Sequence, residues 1–532
     1  MYNKDMNFKR NLLSIITLVC SVFAISGCKD PNVFTKFEFI EEVEDKHEDI
    51  ISSDGSYVKP GNFTRYTAVD KDNHDVKLGY TYDVFTNYMP KSKIRSTGDK
   101  KILVVPVEFS DFRVSELGIT EDEYITNLEM AFFGSYWNNK YVSVAEYYNR
   151  ASYGKLRLSG TVCDKIFTFP KTKAEINGEK DGTKAEREDV YKTYKDVIDW
   201  CKNTYHISLD EYRVDPTNPN SDVAIYMVYT YPNEEPYNEK NPTFWWDYTF
   251  EEKPLSWTSY TSLNTLTGRP DAHTLIHETG HLFGLNDYYP AETADAKNYV
   301  PEPAGRIDMM DSNVGDHTGF SKMLLDWARP YYITEYCIST EINIRSLSKY
   351  GDLILINNEW NGNCFDEYYL IEFYTPTVLN HYDATVGNSS AKLPSIPGIK
   401  IYHVDARLAY YKNPVTKPSF DYYCDLFDVD RPYSDKQSPD KNKKNLNFAH
   451  DNSTYQNVKE DEEWKKYYLY ELQLNHVGHA AAGCATNYHL FHIGDTFEIG
   501  GEASWNKLNS TKYKITVTGM TYESAKVKIE RN

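Results

Sequence analysis

Two histidines four residues apart, with a glutamate after the first, open a stretch that could bind and use a metal. In DAHTLIHETGHLFGLNDYY, residues 271–289, His277, Glu278 and His281 are followed by Gly284 and Asp287. On a helix, positions four apart lie one above the other, so both imidazoles can reach one ion. Glu278 would then sit beside a metal-bound water, where a general base is needed. Gly284 is the residue type that lets a chain leave a helix through a left-handed turn. Asp287 can then fold back as a third ligand. Three protein ligands plus a water make the open arrangement of a catalytic zinc, whereas a structural zinc is closed by four. All five residues at this spacing arise by chance in about one such chain in ten thousand.

A helix must carry these groups. Asp271 after Pro270 is the expected N-cap. Ala272, Leu275, Ile276, Thr279, Leu282 and Phe283 fall within one face roughly 120° wide, opposite His277, Glu278 and His281. His273 lies one turn before His277, but a fourth ligand would close the site. Asp308 and Asp311 flank Met309-Met310. Two readings of that pair stay open: carboxylates bonded to the ligand side chains, or a surface loop.

The chain has 532 residues, too many for one ordinary core. With 46 Tyr, 24 Phe and 9 Trp it has the material for packed interiors, and its formal charge of -20 argues against a nucleic-acid partner. Lys4, Lys9 and Arg10 precede an apolar run over 12–25 and then Ser26-Gly27-Cys28. That pattern reads as an export signal, with an apolar core too short to span a bilayer comfortably. AISGC is similar to the lipobox of bacterial lipoproteins, which implies cleavage before Cys28 and a lipid on that residue. The expected location is therefore the bacterial cell surface or the outer face of a membrane, with shedding to the exterior as a variant. Six cysteines remain, Cys163, Cys201, Cys337, Cys364, Cys424 and Cys484, enough for three disulfides whose pairing spacing alone does not reveal.

Residues 1–27 are thus expected to be signal peptide, and 28–98 an anchored tether and pro-like segment, polar and acidic at first with EEVEDKHED at 41–49. From 99 to 335 strands alternate with helices. KILVVPVEF at 101–109 and DVAIYMVYTY at 222–231 read as buried strands, and helices are expected near 120–133, at 143–151, at 184–203 and at 320–327. From 336 to 532 the pattern is strand-rich, with EYYLIEFY, GIKIYHVDA, HLFHIGDTFEI, YKITVTGM and AKVKIER as strands and 432–466 as a polar surface insertion.

HETGHLFGLND resembles the H-E-x-x-H-x-x-G-x-x-D signature of the immune inhibitor A family of secreted bacterial zinc metallopeptidases, which are metzincin-like. SVAEYYNRASYGKLRLSGTV at 143–162, IDMMDSN at 307–313, GFSKMLLDW at 319–327, and the DEYYLIEF and LPSIPGIKIYHVD segments are similar to that family in the same order. The likeness covers roughly 100–500. It implies an α/β (α+β) metzincin-like peptidase domain, then a β-rich domain of sandwich type. It also implies that His277, His281 and Asp287 bind zinc, that Glu278 is the base, and that Met310 is the Met-turn residue beneath the metal. Ile307 stands where the family usually has Trp, and Ser312 where some metzincins have Tyr.

The expected chemistry is hydrolysis of peptide bonds in protein or peptide substrates by a zinc-activated water, with Glu278 moving the proton. The donor that helps hold the oxyanion has no assigned position. Tyr288, Tyr289 and His317 are the nearby candidates, with packing the default for the tyrosines and a loop position for His317. A structural Ca2+ or domain-contact role for His403 and Asp405 is secondary to a satisfied strand interior. Two rivals stand beside the peptidase: a metal-containing binding lipoprotein or adhesin, against which the intact Glu278 argues, and a zinc hydrolase acting on a non-protein substrate.

Overall fold

The structure is a computed structural model. It describes principally residues 30–44, 94–170, 195–214, 223–230, 269–283, 285, 288, 306–333, 336–357, 364, 367–387, 392–405, 485–500 and 511–532, with short strands between them. Helices and sheets are mixed along the chain. The first sheet is built on Gly98–Glu108, whose continuous apolar run fits a strand covered on both faces. It pairs in parallel with Leu156–Val162 on one side and Ala224–Tyr229 on the other. Leu255–Tyr260 extends the sheet in parallel and Trp246–Tyr248 closes it antiparallel.

Alternate residues of these strands enter different cores. Leu103, Val105, Ile225 and Met227 pack with Val197, Ile198 and Cys201. Ile102, Val104, Leu156, Tyr226 and Val228 face the helices that carry the candidate site. Those helices are Glu121–Phe133, Val144–Ala151 and His273–Leu282. The first begins at Thr120, whose hydroxyl accepts the Glu123 N–H while Glu123 caps back onto Thr120. The second begins at Ser143, which accepts from the Glu146 N–H.

A seven-stranded sheet contributes further residues to the apolar cluster of the same helices. Its order runs Ile50–Ile51, Tyr57–Pro60, Pro330–Ile333, Leu353–Ile356, Glu367–Tyr374, Gly398–Asp405, Tyr470–Glu471. Leu353, Leu355, Tyr368, Leu370, Tyr402 and Val404 point into the cluster that holds Leu275, Ile276 and Met310. Their strand neighbours Ile354, Ile356, Tyr369, Ile371, Ile399 and Ile401 point the other way, onto Ile342, Ile344, Ile515, Val517, Val527 and Ile529. The latter belong to a four-stranded antiparallel sheet of Ser339–Arg345, Ser524–Arg531, Tyr513–Met520 and Thr496–Ile499. The helix bearing His277 thus shares one apolar cluster with strands of the first sheet and of the seven-stranded sheet. The expected limit at 335/336 runs through this assembly, since Pro330–Ile333 pairs with Leu353–Ile356 and one apolar cluster spans both sides.

Several expectations change. Residues 30–44 are not a loose tether. Asn138, fully buried, accepts the Thr35 N–H at 3.0 Å and donates to the Pro31 and Val33 carbonyls at 3.1 and 2.9 Å. Phe37 N–H bonds the Phe133 carbonyl, Asn149 accepts the Ile40 N–H, and Val43 N–H bonds the Tyr153 carbonyl. The acidic composition had concealed these backbone-directed contacts. HLFHIGDTFEI is a strand only over Thr496–Ile499. Ahead of it, Gly494 at φ 91° and the Asp495 carboxylate, which accepts the His492 N–H, make a turn. The helix expected over 184–203 is present in its described part, 195–203. The insertion at 432–466 and most of 45–93 lie outside the described residues. Among the described residues no helix is long and apolar enough to cross a membrane.

Nor are disulfides present among the described cysteines. Cys163, Cys201, Cys337 and Cys364 are buried thiols. Cys163 and Cys201 share a core, while Cys337 and Cys364 lie in two different clusters. Cys424 and Cys484 lie outside the described residues.

The 30–44 segment passes so close to Gly154 that a Cβ there would stand 2.8 Å from the Glu41 carbonyl oxygen and the Glu42 Cα, and the residue sits at φ 83°. Gly154→Ala is expected to cost about 1–2 kcal/mol from the left-handed backbone alone. It should lower the urea midpoint and speed proteolytic cutting within 30–44. An unchanged midpoint and digestion pattern would show that the segment is not held there.

Candidate functional site

The metal-binding pattern falls on His273–Leu282, a helix buried on nearly every side. His277 and Glu278 are 3% and 7% exposed, and His281 is half-buried. The two imidazoles are adjacent, with ring centroids 5.0 Å apart and planes at 83°. His277 Nδ1 lies 2.8 Å from the Met309 carbonyl, and His281 Nδ1 lies 2.7 Å from the Leu285 carbonyl. Each ring thus holds its δ nitrogen against a backbone acceptor, which favours the tautomer with its lone pair on Nε2. That is the nitrogen such a histidine offers to a metal.

The Met309 carbonyl is itself fixed from below. Asp308 caps the single turn Met309–Ser312 by accepting the Met310 N–H at 2.7 Å, and its other oxygen accepts the Thr318 N–H. Asp311 accepts the Arg306 N–H at 2.8 Å. Both carboxylates are buried, so the surface-loop reading of this pair does not hold. They organise the turn through its backbone. Met310 is fully buried against the helix, and a Cβ on Gly280 would come within 2.5 Å of its sulfur. Only glycine between the two histidines admits a methionine this close.

The chain leaves the helix along the same turn. Leu285 N–H bonds the Gly280 carbonyl, and Tyr288 N–H bonds the Met310 carbonyl at 2.7 Å. Asp287, the expected third ligand, lies between these two anchored residues but outside the described ones, as do Gly284 and Tyr289. Among the described residues no group of three His, Cys, Asp or Glu side chains converges in metal-binding fashion. Tyr288 is completely buried with its hydroxyl on Ser321, which is the packing role that was its default. His317 does lie in a loop, between Met309–Ser312 and Gly319–Leu324, but not at the surface. Its ring is buried, 5.4 Å from the Tyr147 ring and 6.0 Å from that of Trp327, with Nδ1 3.8 Å from Asp308. His403 and Asp405 lie on Gly398–Asp405, opposite Tyr369 and Glu367.

Asp271 does not cap the helix as expected. The first turn starts at His273, with Ala272 in the cap position and no side-chain capping bond there. Asp271 instead takes both the N–H and the Nδ1 of His273, at 3.2 and 2.5 Å. The other ring nitrogen lies 3.2 Å from Asp383, on the short helix His381–Thr385. With both nitrogens engaged and its ring stacked on Tyr141 at 4.2 Å, His273 is a fastening and not a ligand. Sequence reading also missed Tyr148, whose hydroxyl donates to the Ile276 carbonyl at 2.6 Å, and the buried pair Lys322–Asp316 at 2.9 Å. Nothing local marks those partners; Tyr148 is one tyrosine among many.

Burial pulls the His273 pKa down, but hydrogen bonds and charge from Asp271 and Asp383 outweigh it and raise it to about 9. A folded-state pKa above the unfolded value near 6.5 stabilises fully below 6.5, and the gain is lost as pH rises through about 9. The urea-midpoint difference between wild type and His273→Gln should therefore shrink between about pH 6.5 and 9. A difference that stays flat across that window would refute the charged bridge. For Gly280→Ala, overpacking against Met310 should cost about 1–3 kcal/mol. A variant as stable as wild type would show that Met310 does not press on the helix. The chain matches no model of a known protein family and no curated protein.

Proposed function

We propose that the chain is an exported zinc metalloendopeptidase, lipid-anchored through Cys28, with a metzincin-like catalytic domain followed by a β-sandwich domain. One observation carries the reading. His277 and His281 stand side by side on one buried helix, each with Nδ1 held by a carbonyl, while Met310 presses on Gly280 between them. A purely structural pair of histidines has no need of a glutamate beside it. Glu278 supplies that glutamate, in a position with little exposure to water.

His277, His281 and Asp287 would hold the zinc, which when bound polarises a substrate carbonyl and acidifies a water. Glu278 accepts a proton from the attacking water and returns it to the leaving amine, so one carboxylate serves as base and then as acid. The carbonyls of Met309 and Leu285 keep the two rings from rotating, so they need not reorganise during turnover. The burial of the helix excludes bulk water from its base, which strengthens electrostatic interactions at the site. Protein or peptide substrates fit this arrangement because a proton must pass to a leaving amine.

Cleavage of unfolded casein tests the proposal. Glu278→Gln should lower the rate by about 10²–10⁴ while zinc content is kept, and a chelator should abolish cleavage reversibly. Asp287→Ala should lose stoichiometric zinc. Undiminished cleavage by Glu278→Gln would refute the role of the base. If the protein cleaved no polypeptide but hydrolysed acyl or glycan substrates in a zinc-dependent way, the non-protein hydrolase would take its place.

A further inference from the structure

The segment that emerges beside Cys28 is bound to the folded unit almost at once. Cys28 precedes Asp30 by two residues and Val33 by five. The Pro31 and Val33 carbonyls are both held by the buried amide of Asn138. Ser135 N–H adds a bond to the Thr35 carbonyl at 2.8 Å, and Lys36 bridges Gly134. At about 3.3–3.6 Å per residue, a lipid on Cys28 stands no more than roughly 18 Å along the chain from Val33. That leaves too little slack for the unit to tumble freely above a membrane.

The surface at this exit point is apolar and aromatic. Val33, Tyr136 and Trp137 are 59%, 44% and 40% exposed. Tyr136 and Trp137 lie next to Asn138 in the chain, and their rings pack together at 4.4 Å. Arg269 borders them, donating to the Tyr136 carbonyl at 2.9 Å and to the Asn139 carbonyl. Tyrosine and tryptophan rings have an apolar body and a polar edge, which suits the headgroup level of a bilayer. A guanidinium among them suits lipid phosphate.

We propose that the face formed by Val33, Tyr136 and Trp137, with Arg269 at its border, docks on the lipid bilayer in which Cys28 is anchored. This rests on the lipid-anchor part of the function proposed above, and it adds an orientation. Lys140 N–H bonds the Pro270 carbonyl at 2.9 Å, and the helix of His277 begins three residues after Pro270. Docking therefore places the N-terminal end of that helix on the membrane side of the molecule. With a net charge of -20, the contact must depend on the rings more than on anionic lipid. It should form on neutral phosphatidylcholine.

The test uses the full chain, exported and processed in a bacterial host and reconstituted into phosphatidylcholine vesicles with brominated acyl chains. Bromine quenches indole emission only at close range. Wild type should show a quenched component that Trp137→Ser removes, and Tyr136→Ser should reduce it several-fold. Equal quenching in wild type and Trp137→Ser overturns the docking. A mass spectrum of the N-terminal peptide without lipid on Cys28 overturns it as well, by removing the anchor. Casein cleavage by the same samples reports on the peptidase separately. Both variants should retain it, which also shows that they are folded, so loss of quenching with cleavage intact supports the docking face.

Discussion

The hydrogen bond between the Met309 carbonyl and His277 Nδ1 joins two segments thirty-two residues apart, and much of the site depends on it. A neutral imidazole can turn its ring or exchange tautomers unless one nitrogen is committed. Here the acceptor is a main-chain carbonyl, and it holds its place because Asp308 grips the turn at Met310 and Thr318. The turn also receives the returning chain through Tyr288. A buried carboxylate that accepts only backbone N–H groups is a rigid part, since its partners cannot change rotamer. The order of command runs from Asp308 to the turn, and from the turn to the imidazole.

The two sheets supply the rest of the rigidity. The helix shares one apolar cluster with Val104 and Tyr226 of the first sheet and with Leu355 and Leu370 of the seven-stranded one, so shifting it would open a cavity in a close-packed interior. At its N-terminal end, His273 is clamped between Asp271 and Asp383. With that end clamped, the half-buried His281 is less enclosed than the buried His277 and Glu278.

Local pattern made some of this legible in the sequence. The strands Gly98–Glu108 and Ala224–Tyr229 stand where apolar runs placed them, and Glu367–Tyr374 where the strand-rich pattern did. The helices Glu121–Phe133 and Val144–Ala151 begin after residues able to cap them. The spacing of His277 and His281 located the helix that carries both. What stayed hidden depends on partners far away in the chain. Asp383 lies 110 residues from His273, and no periodicity in either segment refers to the other. Asp271 illustrates a subtler failure, since its residue type suited a cap while the nearby imidazole competed for the same oxygen. The 30–44 segment misled through composition. Acidic side chains point outward there while the backbone does the binding, and composition carries no information about main-chain hydrogen bonds.

The cluster around the histidine helix draws on residues from Ile94 to Val404, and that span bears on how the protein matures. During synthesis, the helix of residues 273–282 is complete long before Leu353–Ile356, Glu367–Tyr374 and Gly398–Asp405 exist to cover it. Until those strands arrive, the apolar cluster that holds the helix is incomplete, and Asp383 is missing from its clamp. The histidines can therefore take up their working positions only when about three quarters of the chain has been made. Late strands that complete an early helix act as a timer, keeping the histidine pair and its clamp unassembled until most of the chain has been made.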